Sequence, residues 1–166
     1  MNNAFEAMNF AILVHAGQVR KYTGNPYSDH LAEVAGIVAT VSGKWSNPEQ
    51  LIATAWLHDS IEDQGITYSE LDRKFGAAIA LGVSLLSDLE TGNRADRKAA
   101  SRARLAAAPG WVQTIKLADL ISNTRSITQH DPKFAVTYLE EKRLLLEVMR
   151  GGDLRLYKLA QILTQA

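Results

Sequence analysis

Apolar positions recur every three or four residues along nearly the whole chain, the spacing of helices that bury one face. Residues 4–18 place Phe5, Met8, Ala11, Ile12, Leu13 and Ala16 on one stripe, a first helix. A loop follows, marked by Gly24 and Pro26. Ser28 or Asp29 caps a second helix whose Leu31, Val34, Ala35, Val38 and Val41 face a core. Asn47-Pro48-Glu49 opens a third, with proline at a first helical position and an acid in the first turn. It runs through the uncharged Leu51-Ile52-Ala53-Thr54-Ala55-Trp56 and on to Asp63. Thr67-Tyr68-Ser69-Glu70 has capping-box spacing and starts a short fourth helix that stops near Phe75-Gly76. Residues 77–86 make a fifth, almost uncharged helix, and 87–93 a polar loop. A sixth, basic helix carries Arg94, Arg97, Lys98, Arg102 and Arg104 up to Pro109. The seventh covers 111–128, the eighth 134–150 after Asp131-Pro132, and the last 154–163 after Gly151-Gly152. No segment of convincing length alternates with period two. The pattern predicts an all-α fold, one compact bundle of about eight to ten helices forming a single domain over residues 1–166.

Composition narrows the class. A chain of 166 residues with 46% hydrophobic and 22% charged content is long and apolar enough for a real core. Its formal net charge is zero, so no global field draws it to nucleic acid or to an anionic membrane, and neither is expected as a partner. The absence of cysteine excludes disulfides, thiolate metal sites and a cysteine nucleophile. Met1-Asn2-Asn3-Ala4-Phe5-Glu6 lacks the charged start of a leader peptide, and no apolar run reaches 18 residues. A soluble, cytoplasmic protein is expected; the oligomeric state is not fixed by the sequence.

Chemistry gathers at the end of the third helix, in Leu57-His58-Asp59-Ser60-Ile61-Glu62-Asp63. On a continuous helix His58 and Glu62 share one face, and Asp59 sits beside Glu62 and Asp63. Three carboxylates that close repel one another, and a divalent cation removes the conflict. The bland alternative is a solvated helix end with a chance histidine. His30 opens one helix and His58 closes the next, so an antiparallel pair brings them together. Asp119 lies in the apolar Ile115-Lys116-Leu117-Ala118-Asp119, with Asn123 one turn later, and an acid in such surroundings needs a strong partner. His30, His58, Asp59 and Asp119 offer two imidazoles and two carboxylates, a mixed set suited to Mn²⁺ or another first-row divalent ion. His15 reads as packing or hydrogen-bonding, and His130 as a surface residue favoured at a helix C-terminus. The cations of the sixth helix read first as a solvated face.

The order His30, His58-Asp59, Asp119 resembles the HD-domain metal-dependent phosphohydrolases. Gln18-x-Arg20-Lys21, Pro26-Tyr27-x-x-His30, Leu57-His58-Asp59-x-x-Glu62-Asp63, Phe75-Gly76 and Lys116-Leu117-Ala118-Asp119-x-x-x-Asn123 extend the likeness to RelA/SpoT-type small alarmone hydrolases, over roughly residues 4–163. The resemblance implies one Mn²⁺ on His30, His58, Asp59 and Asp119. It implies that Glu62 and Asp63 position and activate the attacking water. Arg20, Lys21, Thr23 and Asn123 would line the nucleotide pocket, with Ser126 and Tyr138 also reaching the substrate. The implied reaction releases pyrophosphate from the 3′ position of guanosine tetra- or pentaphosphate, the alarmone of the stringent response, leaving GDP or GTP. No histidine lies between Ser60 and Ala118, where dinuclear HD phosphodiesterases carry further ligands, so a single ion is expected.

Two positions depart from that pattern: Gln64 where Thr usually follows Glu-Asp, and Ser28 where an aliphatic residue usually follows Pro-Tyr. They leave the base open, including an adenine alarmone or 3′-phosphorylated NADPH. A 5′-nucleotidase, or a binding module that keeps the fold without turnover, remains as a competing reading.

Overall fold

The computed structural model describes residues 3–165; Met1 and Asn2, part of the leader-peptide reading above, lie outside them, as does Ala166. The chain is all-α, as the hydrophobic spacing predicts, and the sole extended pairing among the described residues is one isolated bridge between Val19 and Pro26. It divides into two compact units, residues 1–87 and 88–166.

The first unit contains α1 (Asn3–Val14), α2 (Ser28–Ala39), a 3-10 turn (Ser42–Lys44), α3 (Pro48–Leu57), α4 (Ser60–Gln64), α5 (Tyr68–Phe75) and α6 (Ala77–Leu86). Asn47 caps α3 by accepting from the Gln50 N–H at 3.0 Å, with Pro48 following it. Thr67 and Glu70 close a reciprocal capping box on α5. α3 packs on α1, α2 and α6. The small Ala7, Ala11 and Ala53 are fully buried, which lets helix backbones approach, and Leu31, Leu57, Leu71 and Val83 fill the core with them. α4 ends at Gly65, whose φ of 64° is a left-handed value that costs glycine no Cβ clash.

Two helix boundaries differ from expectation. α1 stops at Val14 instead of reaching residue 18, because the chain turns back on itself: Arg20 N–H donates to Asn25 O at 2.8 Å and Tyr27 N–H to Gln18 O at 2.9 Å. The third helix does not run on to Asp63. It breaks after Leu57, and α4 begins at Ser60. His58 Nδ1 lies 2.8 Å from Ala55 O, and Ser60 Oγ donates to Leu57 O at 2.7 Å. Side chains thus take carbonyls that would otherwise extend the ladder.

The second unit contains α7 (Arg94–Ala107), α8 (Gly110–His130), α9 (Pro132–Val148) and α10 (Leu154–Gln165). α8 is its axis, packed by α9 and α10, with Val112, Ile115, Leu117, Ala118 and Leu120 buried. Asp131 ends α8 and caps α9 by accepting from Phe134 N–H at 3.1 Å. The turn into α10 docks on α8: Gly151 N–H donates to Gln113 Oε1 at 2.8 Å and Asp153 N–H to Thr114 Oγ1 at 2.9 Å. A Cβ on Gly152 would stand 2.6 Å from Leu117 Cδ1, so only glycine fits this approach without a shift. No helix among the described residues is long and apolar enough to cross a membrane.

Candidate metal centre

In the first unit, three of the four expected ligands converge. His30 lies in the first turn of α2, His58 at the C-terminal cap of α3, and Asp59 in the break before α4. Both imidazoles are buried. Their ring centroids are 5.3 Å apart, and ligand nitrogens of the two lie within 4.8 Å of one another. Nε2 of His58 is 3.0 Å from Asp59 Oδ2, and Nε2 of His30 is 3.6 Å from the same oxygen. A carbonyl only accepts, so the His58–Ala55 contact puts a proton on Nδ1 and, in a neutral ring, gives Nε2 the lone pair that could coordinate a cation. The helix break brings this about: it turns the His58 ring back onto α3 and sets Asp59 beside Nε2.

Tyr27 backs the group. Its hydroxyl donates to Asp59 Oδ2 at 2.7 Å, and its ring stands edge-on to His30, with centroids 5.4 Å apart. Glu62 and Asp63 are exposed on α4, and Gln18 Nε2 donates to Asp63 Oδ2 at 2.7 Å. The break means that His58 and Glu62 do not share a face of one helix, which corrects the continuous-helix geometry expected from spacing. Arg20, Lys21 and Thr23 sit in the loop between α1 and α2. Lys21 and Thr23 are exposed, and Lys21 Nζ lies 4.8 Å from the Tyr22 ring centroid. His15 is buried with Nδ1 2.6 Å from Gln18 Oε1, so it packs and hydrogen-bonds as expected.

In the second unit, Asp119 is only 7% exposed on α8. Lys116 Nζ approaches one carboxylate oxygen at 2.9 Å from the preceding turn, and Asn123 Nδ2 donates to the other at 2.6 Å from the following one. Helical spacing alone accounts for this clamp. Ser126 is half-buried, and its carbonyl takes the His130 imidazole at 2.8 Å, with His130 itself exposed. Tyr138 is buried on α9, where its hydroxyl accepts from Thr124 Oγ1 at 3.4 Å and Lys142 Nζ lies 4.8 Å from its ring centroid.

Beside Asp119, a second acid was not singled out from the sequence. Asp88 accepts from Ser101 Oγ at 2.7 Å, Lys98 Nζ at 3.0 Å and Arg104 Nη2 at 2.6 Å. Arg104 also pairs with Glu90. The basic helix is therefore partly neutralised by the loop before it, and not wholly a solvated face. Burial pushes the Asp88 carboxyl up, but Lys116, the Ser101 hydroxyl and Lys98 outweigh it and hold the group well below the usual carboxylate range. Burial, reinforced by Lys116, lowers the Lys142 ammonium to about 8 against the pull of Asp119. The sequence signal for Asp88 is faint: one acid ten residues ahead of Lys98.

Comparison with known proteins bears on the family and the fold. The sequence profile of the HD domain family matches residues 7–145. The zebrafish (Danio rerio) guanosine-3′,5′-bis(diphosphate) 3′-pyrophosphohydrolase MESH1 is 32% identical over 129 residues, covering 77% of this chain and 71% of that protein. A probable guanosine-3′,5′-bis(diphosphate) 3′-pyrophosphohydrolase of Synechocystis is 32% identical over 133 residues, covering 76% of this chain; the chain spans only 17% of that longer relative. The solved structure of a metazoan SpoT ortholog described as hydrolysing ppGpp superposes with a TM-score of 0.88 at 22% identity, over 99% of this chain and 95% of the other.

Proposed function

This chain belongs to the HD domain family, and on that premise we propose that it is a metal-dependent phosphohydrolase removing the 3′-pyrophosphate of guanosine tetra- or pentaphosphate. The convergence of His30, His58 and Asp59 carries the reading: two buried imidazoles aimed at one carboxylate oxygen are the donor set of a divalent cation. Asp119 is the proposed fourth ligand, and one Mn²⁺ the proposed ion. Nitrogen and oxygen donors without thiolate suit a first-row divalent metal, and the His58–Ala55 contact and the Tyr27 hydroxyl supply the outer hydrogen bonds that orient ligands. When bound, the ion supplies Lewis acidity, lowering the pKa of a water in its shell from ~16 toward about 7 in favourable sites and neutralising phosphoryl oxygens.

The protein's own residues do the rest. Glu62 and Asp63, exposed on α4, accept the proton of the attacking water. Its oxygen attacks the phosphorus bonded to the 3′ oxygen, the P–O3′ bond breaks, and the 3′ oxygen takes a proton as pyrophosphate leaves. Arg20 offers a bidentate contact to phosphate and Lys21 a point charge. Thr23, Asn123, Ser126 and Tyr138 are the proposed contacts to the rest of the nucleotide. The partner is thus a small-molecule nucleotide, and the activity is assigned to a single HD domain over residues 1–166. The 32% identity to guanosine-3′,5′-bis(diphosphate) 3′-pyrophosphohydrolases supports this substrate over a 5′-mononucleotide.

A panel of nucleotides incubated with the protein and Mn²⁺ tests the reading, with pyrophosphate and orthophosphate assayed separately. The expected result is pyrophosphate from 3′-diphosphorylated guanosine, abolished by EDTA. Orthophosphate from a 5′-monophosphate would select a nucleotidase instead, and preferential turnover of NADPH or an adenine alarmone would change the base.

A further inference from the structure

We propose that Gln18, held in place by His15 and Gln64, is the positioning residue that sets the orientation of the Asp63 carboxylate. The inference rests on the water-activating role given to Asp63 above. Four side chains of the first unit form a continuous set of contacts. Gln18 Nε2 donates to Asp63 Oδ2 at 2.7 Å, while Gln18 Oε1 lies 2.6 Å from His15 Nδ1 and accepts from Gln64 Nε2 at 2.6 Å.

The chemistry of the groups fixes which way round the amide lies. An ionised carboxylate only accepts, so the amide nitrogen has to face Asp63, and the amide oxygen then faces the two nitrogens behind it. An amide oxygen only accepts in turn, which places the His15 proton on Nδ1. Reversing the Gln18 amide would set its oxygen against the Asp63 carboxylate and its NH₂ against the Gln64 Nε2 amide. The contacts to the carboxylate and to the amide oxygen agree on one arrangement, with Gln64 Nε2 and His15 Nδ1, 3.3 Å apart, both turned toward the Gln18 oxygen.

The rigid member is His15. It is 2% exposed and stacked on the Tyr27 ring at 5.2 Å and 16°, so it cannot swing aside. Asp63 is the opposite, an exposed side chain on a five-residue helix, where several rotamers are accessible without a tether. Gln18 connects the two and passes the fixity of the core to the exposed acid. The same His15–Tyr27 stack also backs Asp59 through the Tyr27 hydroxyl, so one buried pair braces an acid assigned to the metal and an acid assigned to the water. Gln64 is where this chain differs from the pattern it otherwise resembles. A threonine side chain carries no N–H and is too short to reach Gln18, so the contact from Gln64 is a feature of this sequence.

The test uses the full chain. Gln18→Leu is expected to lower kcat about tenfold or more, the usual size of an outer-shell loss, with KM and Mn²⁺ Kd within about twofold of wild type. Gln64→Thr, which keeps Gln18 and Asp63, is expected to lower kcat about threefold, since one of the two contacts to the amide oxygen goes. In an Asp63→Asn background, Gln18→Leu should add no further loss, because it acts only through that carboxylate. NMR of the side-chain amides reads the contact without turnover: one Gln18 Nε2 proton should lie downfield and move in Asp63→Asn. Losses that multiply in the double variant, or a Gln18 amide indifferent to Asp63, would overturn the proposal. A wild-type protein that hydrolyses no nucleotide would overturn the functional reading instead, and the amide resonance would still decide whether Gln18 holds Asp63.

Discussion

The two units solve the problem of a buried or crowded acid in different ways. In the first, Asp59 and Asp63 are met by neutral donors, the Tyr27 hydroxyl and the Gln18 amide, with imidazoles beside Asp59. In the second, Asp88 and Asp119 are met by ammonium and guanidinium groups from Lys98, Arg104 and Lys116. A neutral donor orients a carboxylate and leaves its charge in place, whereas a cation cancels it. The first arrangement suits an acid that has to attract a metal ion or a proton. The second suits an acid that holds helices together, and Asp119 carries features of both, since Asn123 orients it while Lys116 neutralises it. The backbone follows suit. The first unit interrupts its helix to aim His58 and Asp59, while the second places Asp119 in an unbroken helix of 21 residues.

Breaking the comparison on the side of the metal has the largest expected effect. His58→Ala or Asp59→Asn should lose bound Mn²⁺ and pyrophosphate release together, read by metal analysis of the dialysed protein alongside the assay. Glu62→Gln and Asp63→Asn come next. They should keep the ion yet lose about 10²- to 10⁴-fold in kcat, the range for a general base, and normal turnover by either would remove that residue from the water-activating role.

On the cation-paired side, the effects appear in stability. Asp88→Asn should cost about 2 kcal/mol at pH 7, a charged hydrogen-bonded group discounted for its partial exposure. Because the folded-state carboxyl is held below its ordinary range, its contribution is present above about pH 4 and lost as the pH falls. The denaturation curves of variant and wild type should therefore converge in acid; a gap that persists there would contradict the pairing. Lys142 has the opposite sign. Its folded value of about 8 lies below the ordinary 10.5, so the folded state binds the proton less well and stability rises between those values. Lys142→Met should raise stability at pH 7 by about 1 kcal/mol, with the gain fading above pH 10. The smallest expected change is Thr67→Ala, about 1 kcal/mol or less for a lost helix cap, measured by urea unfolding.

What could be read from sequence follows from how local each feature is. Asn47-Pro48, Thr67-Glu70 and Asp131-Pro132 act within three residues, and the helices they begin start where the spacing predicts, within two residues. The uncharged helix over residues 77–86 is found with those bounds. The break after Leu57 was not legible, because it depends on His58 and Ser60 turning back onto carbonyls that a helix-period pattern assigns to the backbone. Nor was the end of α1, which depends on Gln18 pairing with Tyr27 across the loop. At the candidate site, residue type made His30, His58, Asp59 and Asp119 the ligands expected from sequence, since imidazole and carboxylate near apolar runs are conspicuous. Gln18 and Gln64 are not: amides are common on surfaces, and their partners lie 45 and 46 residues away.

The account stands most directly on electron paramagnetic resonance of Mn²⁺ titrated into the protein, with electron spin-echo modulation from ligand nitrogen. It predicts one ion per chain, modulation from two imidazoles that falls to one in His30→Ala, and loss of the tight signal in Asp119→Asn. An ion that binds with no nitrogen modulation, or one that binds equally well without His30 and Asp119, would contradict it.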